Sequence, residues 1–390
     1  MRHLIRFLFP IIFLSSISFA QSPKIHFKSV LIDTHNDVIS TITMKGMNVE
    51  DDLKGKAHSD LARFKQGGVD VQIFSIFCDE RFGKDTAYKY ANIEIDSLYA
   101  IVKRNSDKIQ IATNNKEIKS ALKNGKIAAM MGVEGGHMIE DNLEYLEALY
   151  NRGVRYMTLT WNNSTSWASS AKDETANTVP NPSKGLNDFG RQVVRKMNEL
   201  GMIVDLSHVG EQTFHDAISI SSKPVIASHS NAYSLCPVPR NLKDDQILAI
   251  GKNGGVIHLN FYSGFVDTDY NKQYNAFVAT HKSETDSLIN LKWPTYEIDD
   301  LFTKKYAKEF EAMRPPLSKL LDHLDYIVNL IGVDHVGIGS DFDGINSAPV
   351  GLDGVESFPI LTQALIDRGY SKKEIRKILG GNFLRVLKAQ

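Results

Sequence analysis

The chain has 390 residues, 42% hydrophobic and 23% charged, the balance of an ordinary globular enzyme. Its 45 lysines and arginines against 46 aspartates and glutamates leave a formal charge of −1, which excludes a basic footprint for nucleic acid or for an anionic membrane surface. The two cysteines, Cys78 and Cys236, are too few for a disulfide framework and lack the spacing of a thiolate zinc site, so buried thiols are expected.

Residues 1–20 read as a cleaved export signal. Arg2 and Arg6 precede an apolar run over 8–14, and Ser18-Phe19-Ala20 offers a small-x-small cleavage site. The run is short for a spanning helix of about 20 residues. The mature chain, 21–390, is therefore expected to be exported, periplasmic or secreted, with no membrane span after processing.

From there, short Val- and Ile-rich runs alternate with amphipathic stretches. Strands are predicted at 28–33, 69–77, 126–133, 154–160, 202–207, 224–228, 255–261 and 335–340. Their nearly continuous hydrophobicity fits strands buried on both faces. Helical patterns fall between them, for example over 142–149 and 189–200, and Gly153, Gly201 and Gly254 stand where helices close. Eight such units predict a single (β/α)8 TIM-type barrel. The alternative, an open doubly wound sheet, lacks a Gly-rich dinucleotide fingerprint after its first strand. Residues 265–314 break the rhythm and read as an insertion in a βα loop, either a lid over the barrel mouth or a surface elaboration.

The chemistry-bearing residues fall at strand ends. The first strand runs into Asp33-Thr34-His35-Asn36-Asp37, where side chains two apart point the same way and can share a metal. The third ends at Glu134, the fifth at His208, the sixth at His229 and the eighth at Asp341. One histidine at a strand end is usually structural, but several around one barrel mouth read as ligands, because that rim is where barrel enzymes build active sites. Imidazole and carboxylate suit zinc ahead of manganese or iron. The positions put His35 and Asp37 on one ion and His208 and His229 on the other, with Glu134 bridging. Two zinc ions about 3.5–4 Å apart can share a hydroxide of near-neutral pKa. Asp341 is placed to take its proton and deliver it to the leaving group.

These segments resemble the membrane (renal-type) dipeptidase family, zinc metallopeptidases of the amidohydrolase superfamily. The matching pieces are Asp33 to Asp37, Val133-Glu134-Gly135-Gly136-His137, Asp205-Leu206-Ser207-His208, Ser228-His229-Ser230-Asn231-Ala232-Tyr233 running on to Arg240-Asn241-Leu242, and Ser340-Asp341-Phe342-Asp343-Gly344. The resemblance implies the same ligand roles, two zinc ions per chain, a dipeptide substrate whose C-terminal residue can be D, and a homodimer. It also implies that Arg240 binds the substrate carboxylate, as a guanidinium fork can. One departure stands out: family members commonly carry Leu-Thr-His after the fourth strand, and here it is Leu159-Thr160-Trp161. An indole N–H only donates, so Trp161 or a nearby Asn would be a weaker oxyanion donor. That keeps open another binuclear amidohydrolase reaction, on a carboxylate-bearing lactam, lactone or N-acyl amino acid.

Lesser candidates have plainer readings. His137, three residues from Glu134, is out of phase for direct ligation, and His258 within the seventh strand reads as an interior hydrogen-bonded residue. Tyr262 is a candidate for orienting substrate, with a rim aromatic as the alternative. Asp33 reads as a mouth hydrogen-bonder or a loop cap, and Asp343 as a turn residue before Gly344.

Overall fold

The computed structural model describes residues 22–179 and 184–390, so the export signal expected at 1–20 lies outside the described residues. Among them are nine strands: β1 (Ile32–Asn36), β2 (Val71–Ile76), β3 (Ile109–Ile111), β4 (Ile127–Glu134), β5 (Val154–Thr158), β6 (Ile203–Asp205), β7 (Ile226–Ala227), β8 (Val256–Leu259) and β9 (Val336–Ile338). All pairings are parallel, and β2 pairs directly with β4, so eight strands close a ring in the order β1, β2, β4, β5, β6, β7, β8, β9. The result is the (β/α)8 barrel expected from sequence. β3 stands outside the ring, on the early part of the β4 edge that later pairs with β5. Its Ile-Gln-Ile is too short to register as a periodic segment.

Alternation decides which side chains enter the barrel. Ile32, Val71, Ile73, Ala128, Met130, Tyr156, Ile203, Ile226 and Val256 fill the interior, whereas Ala129, Met131 and Val133 pack outward against the helices. Continuing the inward series up β4 gives Gly132 and then Glu134 at the mouth. A Cβ on Gly132 would lie 2.0 Å from Tyr156 Cζ, so the absent side chain is what lets the Tyr156 ring cross the interior. Gly337 makes the same room for His258, with 2.3 Å to its Cδ2.

Several of the helices between strands cap conventionally. Asp188–Leu200 begins at Asn187, whose side chain accepts from the Gly190 N–H, and ends at Gly201 with φ +78°. Both cysteines are buried free thiols. The 265–314 region folds as helices, chiefly Thr268–Thr280, Lys282–Asn290, Thr295–Lys305 and Ala307–Met313, around an apolar centre of Phe277, Ile298, Phe302 and Phe310. One face of the helix Thr295–Lys305 carries Tyr296, Glu297, Asp300, Leu301 and Lys304 onto the cavity over the mouth. The barrel loops reach this face through Arg81, which bonds Tyr296 Oη at 2.6 Å and Glu297 at 3.2 Å, and through Lys45, 3.5 Å from Asp300. Exposed pairs of this kind contribute little stability, so they orient the insertion more than they hold it.

Candidate active site

Six of the residues singled out in the sequence meet at the C-terminal rim. Glu134 stands at the centre: its Oε2 lies 3.4 Å from His35 Nε2, and its Oε1 lies 2.9 Å from His208 Nε2 and 3.6 Å from His229 Nε2. Asp37 Oδ2 is 3.5 Å from His35 Nε2, and Asp341 Oδ1 is 4.0 Å from the same nitrogen. The donor atoms fall into overlapping groups compact enough to hold cations. His35, Asp37 and Glu134 form one, Glu134, His208 and His229 another, and His35, His229 and Asp341 a third.

The hydrogen bonds assign the tautomers. Tyr156 Oη donates to the Thr34 carbonyl at 3.1 Å, so at 2.8 Å it accepts from His35 Nδ1. Ser228 Oγ donates to Asp205 Oδ2 at 2.6 Å, so at 2.8 Å it accepts from His229 Nδ1. His208 Nδ1 donates to Asn162 Oδ1 at 3.1 Å. In its neutral form each imidazole thereby carries its proton on Nδ1 and turns an Nε2 lone pair into the cluster. Two such lone pairs, on His208 and His229, face each other across 3.0 Å, and His35 Nε2 is buried without a hydrogen-bond partner. Lone pairs so arranged repel unless a cation sits among them, and the donor set fits divalent metal.

The charges agree with that fit at His208 and His229. Against its burial, His35 is held well above the ordinary imidazole range by Tyr156, Glu134 and Asp37, so the carboxylates draw a proton to the place a cation would take. Burial pushes His208 down to about 4, helped by Arg240, and holds His229 well below the ordinary range, with His35 adding to it. Burial thus favours the uncharged form of both imidazoles. Burial pushes Asp341 well above the usual carboxylate range; His35 opposes this, while Asp37 and Glu134 add to it. Burial likewise raises Asp37 against the pull of His35. Glu134 goes the other way, because His35 and His208 outweigh its burial and hold it well down. Crowded carboxylates of this kind are what bound cations would relieve.

Backbone conformation is unusual at the same place. His208 (φ +65°), Asp341 (φ +62°) and Asp343 (φ +69°) occupy the left-handed region, which costs a non-glycine residue on the order of 1–3 kcal/mol. Surrounding bonds hold them there, including Asp341 N–H to the His35 carbonyl at 3.1 Å and Ala171 N–H to the His208 carbonyl at 2.8 Å. Asn260 Nδ2 donates to Asp341 Oδ2 at 2.8 Å, leaving Oδ1 toward the cluster.

The cavity above measures about 700 Å³ and is walled by Phe77, Trp161, Tyr262 and the insertion residues. Tyr262 therefore sits at the rim, edge-on to Phe265. Arg240 lies at a seam: it lines a second cavity of about 420 Å³ that shares His208 with the first, and its Cζ is 5.2 Å from the Phe265 ring. Its Nη2 donates to the His229 carbonyl at 3.3 Å, its Nε is buried without a partner, and among the described residues it forms no ion pair. The lesser candidates stay outside the cluster. His137 Nε2 bonds the Cys78 carbonyl, His258 Nδ1 bonds the Ala227 carbonyl, Asp33 accepts from Ser340, and Asp343 accepts from His58 N–H. Sequence reasoning gave no role to Tyr156, Asp205, Ser228 or Asn260. Asn162, one of the asparagines beside Trp161, gives its side-chain oxygen to His208.

A barrel with imidazoles and carboxylates gathered at its C-terminal rim defines the class as a metallohydrolase. The chain belongs to the membrane dipeptidase family, peptidase family M19, whose model matches residues 19–390, and it is a metallo-dipeptidase. An uncharacterized dipeptidase of Schizosaccharomyces pombe is 33% identical over 375 residues, covering 92% of this chain and 80% of that protein. Among solved structures, the probable dipeptidase PvdM of Pseudomonas aeruginosa superposes with a TM-score of 0.79 at 25% identity, over 95% of this chain and 98% of the other. A metallopeptidase of Rhodobacter sphaeroides, liganded with a phosphinate mimic of the dipeptide L-Ala-D-Ala, gives 0.74 at 24% identity over 93% and 99%.

Proposed function

We propose that this enzyme is a two-zinc dipeptidase in which His35 and Asp37 hold one ion, His208 and His229 hold the other, and Glu134 lies between. The observation that carries the reading is the split of the Glu134 carboxylate, with one oxygen facing His35 and the other facing His208 and His229. Bound there, zinc supplies Lewis acidity toward the scissile carbonyl and lowers the pKa of water to near neutral.

The chain's own residues do the rest. Asp341, with one oxygen tied to Asn260, takes the proton from the attacking water on the other and returns it to the leaving amine. Arg240, a guanidinium short of partners among the described residues, donates to the substrate's C-terminal carboxylate. The dipeptide then runs from the larger cavity past His208 toward the smaller one, with Tyr262 against it on the rim. A C-terminal D-residue is included because the Rhodobacter sphaeroides metallopeptidase is liganded with a mimic of L-Ala-D-Ala. Export to the periplasm or medium belongs to the same reading on the strength of the leader, and a homodimer on the strength of the family resemblance.

The test is turnover by the zinc-loaded chain from Gln21 onward, on L-X-L-Y and L-X-D-Y panels with free and amidated C-termini. Hydrolysis that requires the free carboxylate, and a metal content of two zinc per chain, is the expected result. One metal per chain, or equal hydrolysis of free and amidated substrates, overturns the ligand assignment or the Arg240 role respectively.

A further inference from the structure

Two carboxylates below the rim repeat one arrangement. Asp33 pairs with Ile338 across the β1–β9 ladder and accepts from the residue two further on, Ser340, through its backbone N–H at 2.8 Å and its Oγ at 2.7 Å. Asp205 pairs with Ile226 across the β6–β7 ladder and accepts from Ser228, again two further on, through N–H at 2.7 Å and Oγ at 2.6 Å. Both carboxylates and both serines are fully buried. Each serine is followed directly by a rim residue, Asp341 in one case and His229 in the other.

We propose that Asp33 and Asp205 are matched positioning residues, the first holding the backbone of the proton-transfer carboxylate and the second setting the tautomer of a metal-binding imidazole. This rests on the assignment of Asp341 and His229 above. The two braces act through different atoms. At Ser340, the hydroxyl gives its hydrogen to Asp33 and accepts from Phe342 N–H at 3.2 Å, which ties the peptide after Asp341, while the peptide before it is tied by Asp341 N–H to the His35 carbonyl at 3.1 Å. That clamp holds Asp341 at φ +62°, where an unbraced aspartate would relax toward ordinary backbone and swing its carboxylate away. At Ser228, the hydroxyl gives its only hydrogen to Asp205 and so can only accept from His229 Nδ1. An amide in place of Asp205 would present N–H to that hydroxyl. Ser228 would then turn its hydrogen toward His229 Nδ1, and the imidazole proton would move to Nε2, the atom facing the cluster.

The consequences separate cleanly, which is how a positioning role differs from a merely structural one. The probe is Zn2+ itself, titrated into metal-free enzyme against a chromophoric chelator, alongside kcat and KM and thermal unfolding followed by circular dichroism. Asp205→Asn and Ser228→Ala are expected to weaken one of two zinc sites about 10- to 100-fold, the usual cost of losing a partner behind a metal ligand. Asp33→Asn and Ser340→Ala are expected to keep both zinc ions, leave KM unchanged and lower kcat tenfold or more. The serine variants keep the carboxylates in place and decide the matter if an asparagine variant fails to fold. His229→Ala and Asp341→Asn serve as controls. If His229→Ala loses a zinc site while Asp205→Asn and Ser228→Ala bind both normally, the brace is refuted and the metal assignment stands. If His229→Ala itself binds both normally, the assignment falls and the inference falls with it. Full turnover in Asp33→Asn and Ser340→Ala, where Asp341→Asn is dead, refutes the other half.

Discussion

Replacing Arg240 with methionine should make the free enzyme more stable while destroying its function. The guanidinium has five N–H donors, yet among the described residues it makes one hydrogen bond, to the His229 carbonyl, its Nε is buried without a partner, and no carboxylate pairs with it. Burial lowers its pKa to about 10 from the ordinary 12.5, against the pull of Asp341, Glu134 and Asp205. Below pH 10 the folded state therefore pays for carrying this charge, on the order of 3 kcal/mol at 1.36 kcal/mol per pKa unit. The side chain is partly open to solvent, which reduces the figure to about 1–2 kcal/mol. Methionine fills similar length without the charge, so Arg240→Met should gain about that much in urea unfolding of the metal-loaded protein. Turnover should move the other way. Loss of one partner of a buried charge pair costs about 2–5 kcal/mol, so kcat/KM on a free dipeptide should fall about 30-fold to several thousand-fold, and the preference over the amidated dipeptide should vanish. A variant that is destabilised by more than about 1 kcal/mol, or that still discriminates free from amidated C-termini, would show that the arginine is a structural residue and refute the reasoning.

Three further outcomes follow from other parts of the molecule. Asp341→Asn should keep its bound metal, measured by elemental analysis, and lose about 10²–10⁴ in kcat, the range for a proton-transfer group; retained turnover would remove Asp341 from the chemistry. Gly132→Ala should destabilise the fold by about 3 kcal/mol or more in chemical unfolding, because the new Cβ meets the buried Tyr156 ring at 2.0 Å, whereas Gly332→Ala, with open space around its Cβ, tests whether any glycine change there is costly for φ (+84°) alone. His258 is pushed down to about 4 by burial, so it is neutral in the folded state and protonates more readily unfolded. Its contribution is present above pH 6.5 and is lost as pH falls toward 4, about 3 kcal/mol in all. The stability of metal-free protein should therefore drop less steeply across that window in His258→Gln than in the parent chain.

How much of this was legible in the sequence depends on what each residue's partner is. His35, Glu134, His208, His229 and Asp341 each fall within three residues of the end of an apolar run, and a barrel fixes where the ends of its strands go, so position alone brought them together. Arg240 sits between two loop segments with no periodicity to place it, and only the family resemblance pointed to it. Tyr156, Asp205, Ser228 and Asn260 depend on register between strands far apart in sequence: His35 finds Tyr156 across 121 residues, and Asn260 finds Asp341 across 81. Strand pairing of that kind leaves no local pattern. β3 escaped for the opposite reason, since three residues carry too short a period to distinguish a strand from the end of a helix.

The same distinction bears on Trp161, where the chain departs from the Leu-Thr-His of the family pattern it resembles. Its indole lies in the cavity wall, with Phe77 at 4.9 Å and His208 at 6.5 Å between ring centroids. None of the hydrogen bonds that orient the clustered histidines and carboxylates runs through it: Tyr156 serves His35, Asn162 serves His208, Ser228 serves His229 and Asn260 serves Asp341. An exchange at position 161 therefore leaves the tautomers and the ligand geometry alone. It changes what a substrate touches beside His208, replacing a group that can exchange a proton with a broad apolar face that only donates. The structure thus separates two properties that the motif alone runs together. On the proposed reading, holding metal depends on buried partners beneath the rim, and choosing substrate depends on the walls above it, where Trp161, Tyr262 and the helix Thr295–Lys305 meet.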